Sequence, residues 1–279
     1  MSNKIRNSIF QGIIIAILAL FSFVQIFPFY LQLVNSLQPL TFKPQYGKIN
    51  LWPESFNFKN YVLAFEMAEL GEGLVNTLIA ASTFTLLSLC VVMMVGYVLG
   101  KKNFKGKKIV TICLLGTMMI PGEILMVPNY FLMVNLGWLN ELKALFLPGI
   151  VNIFGIFLVK QYMNTIPDSL LESAEIDGCN EIQKIFHIVI PNSMPIVGTY
   201  CILTFTSIWN DYLWPNIVLR TTDKFTLQLK LMTFAPQFAD SSDQILRAAG
   251  LIAVLFPVIL VYSIFQKYFI ESVSMTGIK

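Results

Sequence analysis

Residues 73–100 read GLVNTLIAASTFTLLSLCVVMMVGYVLG, twenty-eight positions without a charged side chain. A helix of about 20 residues, rising 1.5 Å at each, crosses a bilayer core of about 30 Å, so this run alone can span. A second uncharged run lies between Arg6 and Lys43. Weaker ones cover residues 109–130 (interrupted by Glu123), 144–159, 188–210 and 248–266. Composition agrees: 56% of the 279 residues are hydrophobic and 13% charged, with a mean hydropathy of +0.68. A soluble domain carries roughly 25% charge. So apolar a chain is not disordered, and a net charge of +3 spread thinly leaves no stripe for tracking nucleic-acid phosphates. The expectation is an all-α, polytopic membrane protein. It forms one transmembrane domain over 1–279, with six transmembrane helices at about 9–33, 73–99, 109–129, 143–163, 194–214 and 247–270.

The first run begins after Lys4 and Arg6, as a signal peptide would, but its apolar stretch continues through Phe29 with no small-residue cleavage site, so a retained span is expected. Cys90, Cys113, Cys179 and Cys201 stand singly, without metal or disulfide spacing. Positive charge near span ends stays on the cytoplasmic side. The linker 101–108 holds five lysines in eight residues and is therefore expected inside, together with the N-terminus, residues 161–187 and the C-terminus. A lysine cluster of this kind serves as a topological anchor, or binds anionic lipid or a partner. Long loops at 38–72 and 215–245 then fall outside.

Between the fourth and fifth expected spans runs Ile166-Pro167-Asp168-Ser169-Leu170-Leu171-Glu172-Ser173-Ala174-Glu175-Ile176-Asp177-Gly178, continuing through Cys179 to Pro191. Pro167-Asp168-Ser169 starts a helix, with Ser169 and Glu172 at capping-box spacing, and Gly178 ends it. A second helical stretch carries Ile182, Ile185, Phe186 and Val189 as an apolar stripe and is expected to stop at Pro191. Five acids (Asp168, Glu172, Glu175, Asp177, Glu181) stand against one lysine, Lys184. Such a net negative segment calls for a partner.

Here the chain resembles the membrane-spanning permease subunits of bacterial binding-protein-dependent ABC importers. Their signature is E-A-A, three residues, G, nine residues, then I-x-L-P. This sequence reads Glu172-Ser173-Ala174, three residues, Gly178, nine residues, then Ile188-Val189-Ile190-Pro191, departing at Ser173 and Ile190 only. The resemblance implies that Glu172, Ser173, Ala174, Asp177, Gly178, Ile188 and Pro191 form a coupling segment that docks into a groove of a separate ATPase. Glu172 would pair with a basic residue there, and Ala174 and Gly178 would allow close backbone approach. Pro121-Gly122-Glu123, Leu136 to Asn140, Trp209 to Pro215 and the tail Ser274 to Lys279 look like the carbohydrate-uptake branch, specifically its second permease subunit of maltose/glycerol-phosphate type. This implies a partner set of a second permease chain, two ATPase subunits that bind the ATP and Mg, and an extracytoplasmic sugar-binding protein. It also implies a bacterial inner membrane location.

A straight helix from the third span's start would place Glu123 roughly 21 Å deep, in the outer half of the bilayer. An unpaired acid there avoids lipid and faces the interior of the assembly. Pro121 frees a carbonyl beside it, a break tolerated where it lines a cavity or packs on protein. Candidate residues of a translocation path are Glu123, Asn152, Thr204, Ser207, Trp209, Asn210 and Asp211. Ser, Thr and Asn also join helices to one another, and Trp209, Tyr212 and Trp214 also suit an interfacial belt.

No G-x-x-x-x-G-K-[ST] phosphate loop is present, so the chain is expected to be a transport subunit without its own ATPase site, cofactor or metal. The single histidine, His187, supports neither a catalytic triad nor a zinc site. Rival functions are the import of peptides, polyamines or phosphate esters, and an ATP-independent transporter or channel, for which Glu123 lacks an evident basic partner. A membrane-embedded enzyme would need clustered His or paired acids at a membrane face.

Overall fold

The computed structural model describes residues 3–43, 48–234 and 241–277; these are helical with no strand. In chain order the helices are α1 (Asn3–Ser36), α2 (Lys59–Met67), α3 (Leu70–Lys101), α4 (Lys107–Thr117), α5 (Met126–Asn135), α6 (Lys143–Phe146), α7 (Ile153–Met163), α8 (Asp168–Ile176), α9 (Glu181–Lys184), α10 (Ile190–Asn192), α11 (Met194–Trp209), α12 (Leu213–Val218), α13 (Leu227–Phe234) and α14 (Ser241–Gly277). The chain divides into two compact units, Met1–Gly71 with Leu231–Phe256, and Glu72–Lys230 with Pro257–Lys279. The four cysteines are unpaired.

In the first unit, α1 exposes nearly every apolar side chain from Ile9 to Leu33, a surface that suits lipid rather than water. The chain that follows is organised by Asn60, fully buried on α2, whose amide donates to the carbonyls of Ser36 and Gln38 at 2.8 Å each. Tyr61 and Ser36 share a hydroxyl hydrogen bond of 2.7 Å. Thus the described residues that follow α1 are held by side chains that replace missing helical partners.

Among the described residues, α1, α3 and α14 contain continuous helices long and apolar enough to cross a membrane, and two bent helix pairs reach that length and polarity when each pair is taken together. The third expected span, 109–129, is not one straight helix. α4 stops at Thr117, Pro121 opens a 3-10 turn over Gly122–Leu125, and α5 leaves at 88° to α4. A proline cannot donate to the helical ladder and disfavours helix in the residue before it, which fixes the break at Pro121. The straight-helix depth assigned to Glu123 therefore does not hold. Likewise the fourth expected span, 143–163, divides at Pro148-Gly149 into α6 and α7. The eleven residues of α7 rise only about 17 Å, about half a bilayer core.

The chain also changes direction just before the fifth expected span, 194–214. Pro191 does not end its helix: the chain widens into a π turn over Ile185–Val189, runs through Pro191 in α10, and bends by 83° before α11. A helical proline collides with the carbonyl four residues back, here that of His187, and a π turn opens the ladder where that clash would fall.

One apolar core in the second unit joins α3 (Val92, Tyr97), α7 (Val159, Met163), α11 (Tyr200) and the segment from Ile166 to Val189. Gly96 and Gly100 set the approach of α3 to α7. A Cβ on Gly96 would lie 2.5 Å from Val159 Cγ1, and one on Gly100 the same distance from Met163 Cβ. The Gly-Tyr-Val-Leu-Gly spacing is the small-x-x-x-small pattern that lets helix backbones close without a hydrophobic drive from water. Nearby, Tyr200 fits against Gly155 and shares a 2.6 Å hydrogen bond with Ser88, which also donates to the Ile150 carbonyl.

Within the second unit, the segment from Leu213 to Lys230 folds back onto α3 near Glu72 to Thr77. Asn76 donates to the carbonyls of Asp223 and Phe225, Thr77 Oγ1 accepts from Leu227 N, and Lys230 pairs with Glu72 at 2.9 Å. Asn140, in the left-handed region at φ 62°, accepts from the backbone of Arg220 and Thr221.

Gly96→Val or Gly100→Val should cost about 1–3 kcal/mol through overpacking. The expected readout is a lower midpoint in a thermal size-exclusion assay of the detergent-solubilised chain, whereas Gly116→Ala, whose Cβ meets nothing, should leave the midpoint nearly unchanged.

Candidate functional site

The acidic segment folds as two short helices around a tight turn. Pro167 occupies the N-cap of α8 without a side-chain cap, and Ser169 offers its carbonyl to Ser173 Oγ instead. The expected Ser169–Glu172 capping box is thus absent, because the helix already begins at Asp168. The box occurs at α9, where Asn180 and Gln183 each bond the other's backbone N–H at 2.8 Å. Gly178 ends α8 as expected, at φ 82°, with Cys179 N donating to the Ala174 carbonyl and Gly178 N to that of Glu175. This pair of bonds is the Schellman closure that a left-handed glycine permits. A Cβ on Gly178 would meet no atom of the chain, so within the chain its requirement is conformational.

The two faces of the segment differ. Leu171 and Ala174 of α8, with Ile185 and Val189 beyond it, are buried, and Ile188 packs half-buried against the same core. Ala174 is small where α8 seats on its own chain. Glu172, Ser173 and Asp177 point to the exposed side, as does Ile176 at 87% exposure. The anticipated apolar stripe is split: Ile185 and Val189 face the core, while Ile182 and Phe186 are exposed. His187 is exposed, its Nδ1 3.0 Å from the Gln183 carbonyl, and Pro191 is exposed too.

Much of the negative charge is met within the chain. Lys184, 2% exposed, reaches Glu175 Oε2 at 2.8 Å and Glu181 Oε1 at 3.1 Å. Lys102 reaches the same Glu181 oxygen at 2.7 Å, and the Tyr97 hydroxyl donates to the other at 2.8 Å. Lys101 pairs with Asp168 at 2.7 Å and also donates to the Ile166 carbonyl. The end of α3 is therefore tied to the segment at both Asp168 and Glu181. The Lys102 hydrogen bond, followed by those from Tyr97 and Lys184, holds the Glu181 carboxyl down at about 2. Lys184 likewise lowers Glu175 and is itself raised, chiefly by Glu175. Of the five acids, Glu172 and Asp177 have no side-chain partner among the described residues. Neither lysine tie was read from sequence; the signal was a basic and an acidic linker expected on the same side.

The transport-path candidates scatter. Glu123 and Asp211 share one cleft of about 340 Å³ with Asn129, Phe84, Ile208 and Trp214. Asp211 accepts from Trp214 N, which keeps it at the start of α12. Asn152 is the N-cap of α7, accepting from Gly155 N at 2.7 Å. Thr204 is buried and returns its hydroxyl to the Tyr200 carbonyl. Trp209, 1% exposed, stacks on Phe205. Ser207 and Asn210 are exposed but lie outside that cleft. The sequence reading missed Asn129 as a neighbour of Glu123; its position six residues on, beyond a broken helix, carries no periodic signal. Among the described residues no group of three or more His, Cys, Asp or Glu is placed to hold a metal ion.

Known proteins share this architecture. The arabinooligosaccharides transport system permease protein AraQ of Bacillus subtilis is 33% identical over 92% of each chain. The melibiose/raffinose/stachyose import permease protein MelC of the same organism is 31% identical over 96% of each. A crystal structure of a bacterial ABC transporter involved in import of the acidic polysaccharide alginate contains a chain that superposes with a TM-score of 0.81. It has 25% identity, over 96% of this chain and 99% of that one. Residues 92–275, which include the whole clamped acidic segment, match the family model, so the chain belongs to the binding-protein-dependent transport system inner membrane components.

Proposed function

We propose that the chain is the permease subunit of an ATP-driven sugar importer, acting over 1–279 as half of a translocation path. The observation that carries the coupling role is the division of charge on the acidic segment. Asp168, Glu175 and Glu181 are engaged inward by lysines, while Glu172 and Asp177 stand exposed and unengaged beside exposed Ile176. An exposed apolar patch with free carboxylates at its edge fits a basic, apolar groove on a partner. Relatives named for oligosaccharide transport support the sugar class.

In this scheme two ATPase subunits bind ATP and Mg, and α8 docks on one of them from the cytoplasm. Closure of the ATPases moves α8, and the lysine ties pass that movement to the end of α3 while the apolar core passes it to α7 and α11. The site alternates between facing inward and outward, its bias supplied by nucleotide and by an extracytoplasmic sugar-binding protein bearing on the loops 38–72 and 215–245. A second permease subunit completes the path, the bacterial inner membrane houses it, and both termini are cytoplasmic. Glu123, Asn129 and Asp211 offer acceptors, and Trp214 an aromatic face, to a sugar passing their cleft.

Glu172→Lys in the complete transporter should weaken ATPase-subunit binding at least about tenfold by placing like charges together, measured by co-purification and by sugar-stimulated ATP hydrolysis. Wild-type coupling in that variant rejects the docking role. Lys184→Met should act differently. Glu175 and Glu181 lose their shared cation, so sugar uptake falls severalfold while ATPase subunits still co-purify.

Acid should release the clamp in a defined window. The Glu181 carboxyl is depressed from 4.5 to about 2 in the folded chain, so its contribution is complete above the unfolded value and fades as pH falls from there toward about 2. Limited proteolysis of the segment with an acid-active protease should accelerate across that range, whereas in Glu181→Gln it should already be faster above the range and should rise less on acidification.

A further inference from the structure

The lysines around the α3–α4 turn fall into two groups. Lys101 and Lys102 are engaged by Asp168 and Glu181. Lys105, Lys107, Lys108 and, from α7, Lys160 have no carboxylate partner among the described residues. Lys107 makes only a hydrogen bond to the Lys102 carbonyl, at 2.9 Å.

Three of these, Lys107, Lys108 and Lys160, border one open groove of about 640 Å³ whose remaining wall includes Phe104, Ile109 and Ile112. Like charges around one groove repel, and a negative group among them removes that cost. Beside Asn103 and Thr111 the wall carries a bare apolar flank: Ile109 is 68% exposed and Ile112 58%, and α4 buries none of its side chains. Cations at the end of an apolar helix, above a bare apolar flank, match a ligand with a phosphate head and hydrocarbon tails.

We propose that this groove binds an anionic phospholipid, the headgroup phosphate among Lys107, Lys108 and Lys160 and an acyl chain along Ile109 and Ile112. A soluble anion would use the ammonium groups and leave the apolar flank uncovered. The site is independent of the coupling role: its lysines are those the acidic segment does not engage.

The test is native mass spectrometry of the complete transporter in neutral detergent, titrated with phosphatidylglycerol or with phosphatidylcholine of the same acyl chains. Wild type should retain phosphatidylglycerol preferentially and release it as salt is raised. Each lysine near an anionic headgroup is worth roughly fivefold, so Lys107→Gln/Lys108→Gln/Lys160→Gln should lower phosphatidylglycerol affinity about 100-fold and leave phosphatidylcholine unchanged. Lys143→Gln, remote from the groove, should change neither. Equal retention of the two lipids by wild type, or undiminished phosphatidylglycerol retention in the triple variant, overturns the proposal. Displacement of the lipid by inorganic phosphate or a soluble oligoglutamate at matching concentration assigns the groove to a soluble anion and overturns it as well. Should the triple variant not assemble, the salt response of the wild type decides: phosphatidylglycerol retention that resists salt rejects the site.

Discussion

Hydrocarbon offers no hydrogen bonds, so every backbone amide at membrane depth has to find its partner within the protein. Long helices such as α3 meet this condition alone. The breaks at Pro121, Pro148-Gly149 and Ser193 do not, and each is accompanied by a local substitute. A 3-10 turn follows Pro121, and the Asn152 side chain caps α7 after the second break. A π turn precedes the third. The breaks fall in unit 2, whose core fills with side chains from α3, α7 and α11. Two glycines on α3 and one on α7 permit that packing, because a methyl group at any of them would overlap a neighbouring side chain.

The same low dielectric explains how the charges are placed. A buried ammonium without a counter-ion is costly, and Lys184 is nearly inaccessible. It is accommodated because two carboxylates close over it, one of them shared with Lys102 and a tyrosine hydroxyl. Those carboxylates remain half or more exposed, so the cluster sits at the boundary between core and water. There it orients a segment without the full desolvation cost of an interior ion pair. The acids left over are the ones with a surface to offer.

The sequence was most informative where local chemistry decides alone. Uncharged runs identified the membrane class, and Gly178 ended its helix for the conformational reason expected. The motif spacing pointed to the family that the similarity of the chain then established. It was least informative where a distant partner decides. Gly96 and Gly100 matter only because α7 lies across them, and Ile182 and Phe186 fit a helical stripe yet turn away from the core. Pro191 looked like a terminator because the five-residue π turn just before it, Ile185–Val189, has no sequence signature. Of the path candidates, Glu123 and Asp211 came together across 88 positions of sequence, a separation that no periodicity covers. Asn152, Thr204 and Trp209 instead hold helices in order.

Lys101 is the last residue of α3 and Lys102 the next along the chain, and their side chains reach different partners. One reaches the first residue of α8 and the other the first residue of α9. A rod gripped at a single point can swivel about that point and absorb a sideways push. Gripped at two points, it resists swivelling, and a sideways push must be taken up as torque. The paired lysines therefore make the acidic segment and the end of α3 behave as a crank, in which displacement of the one tilts or turns the other with little lost motion between them.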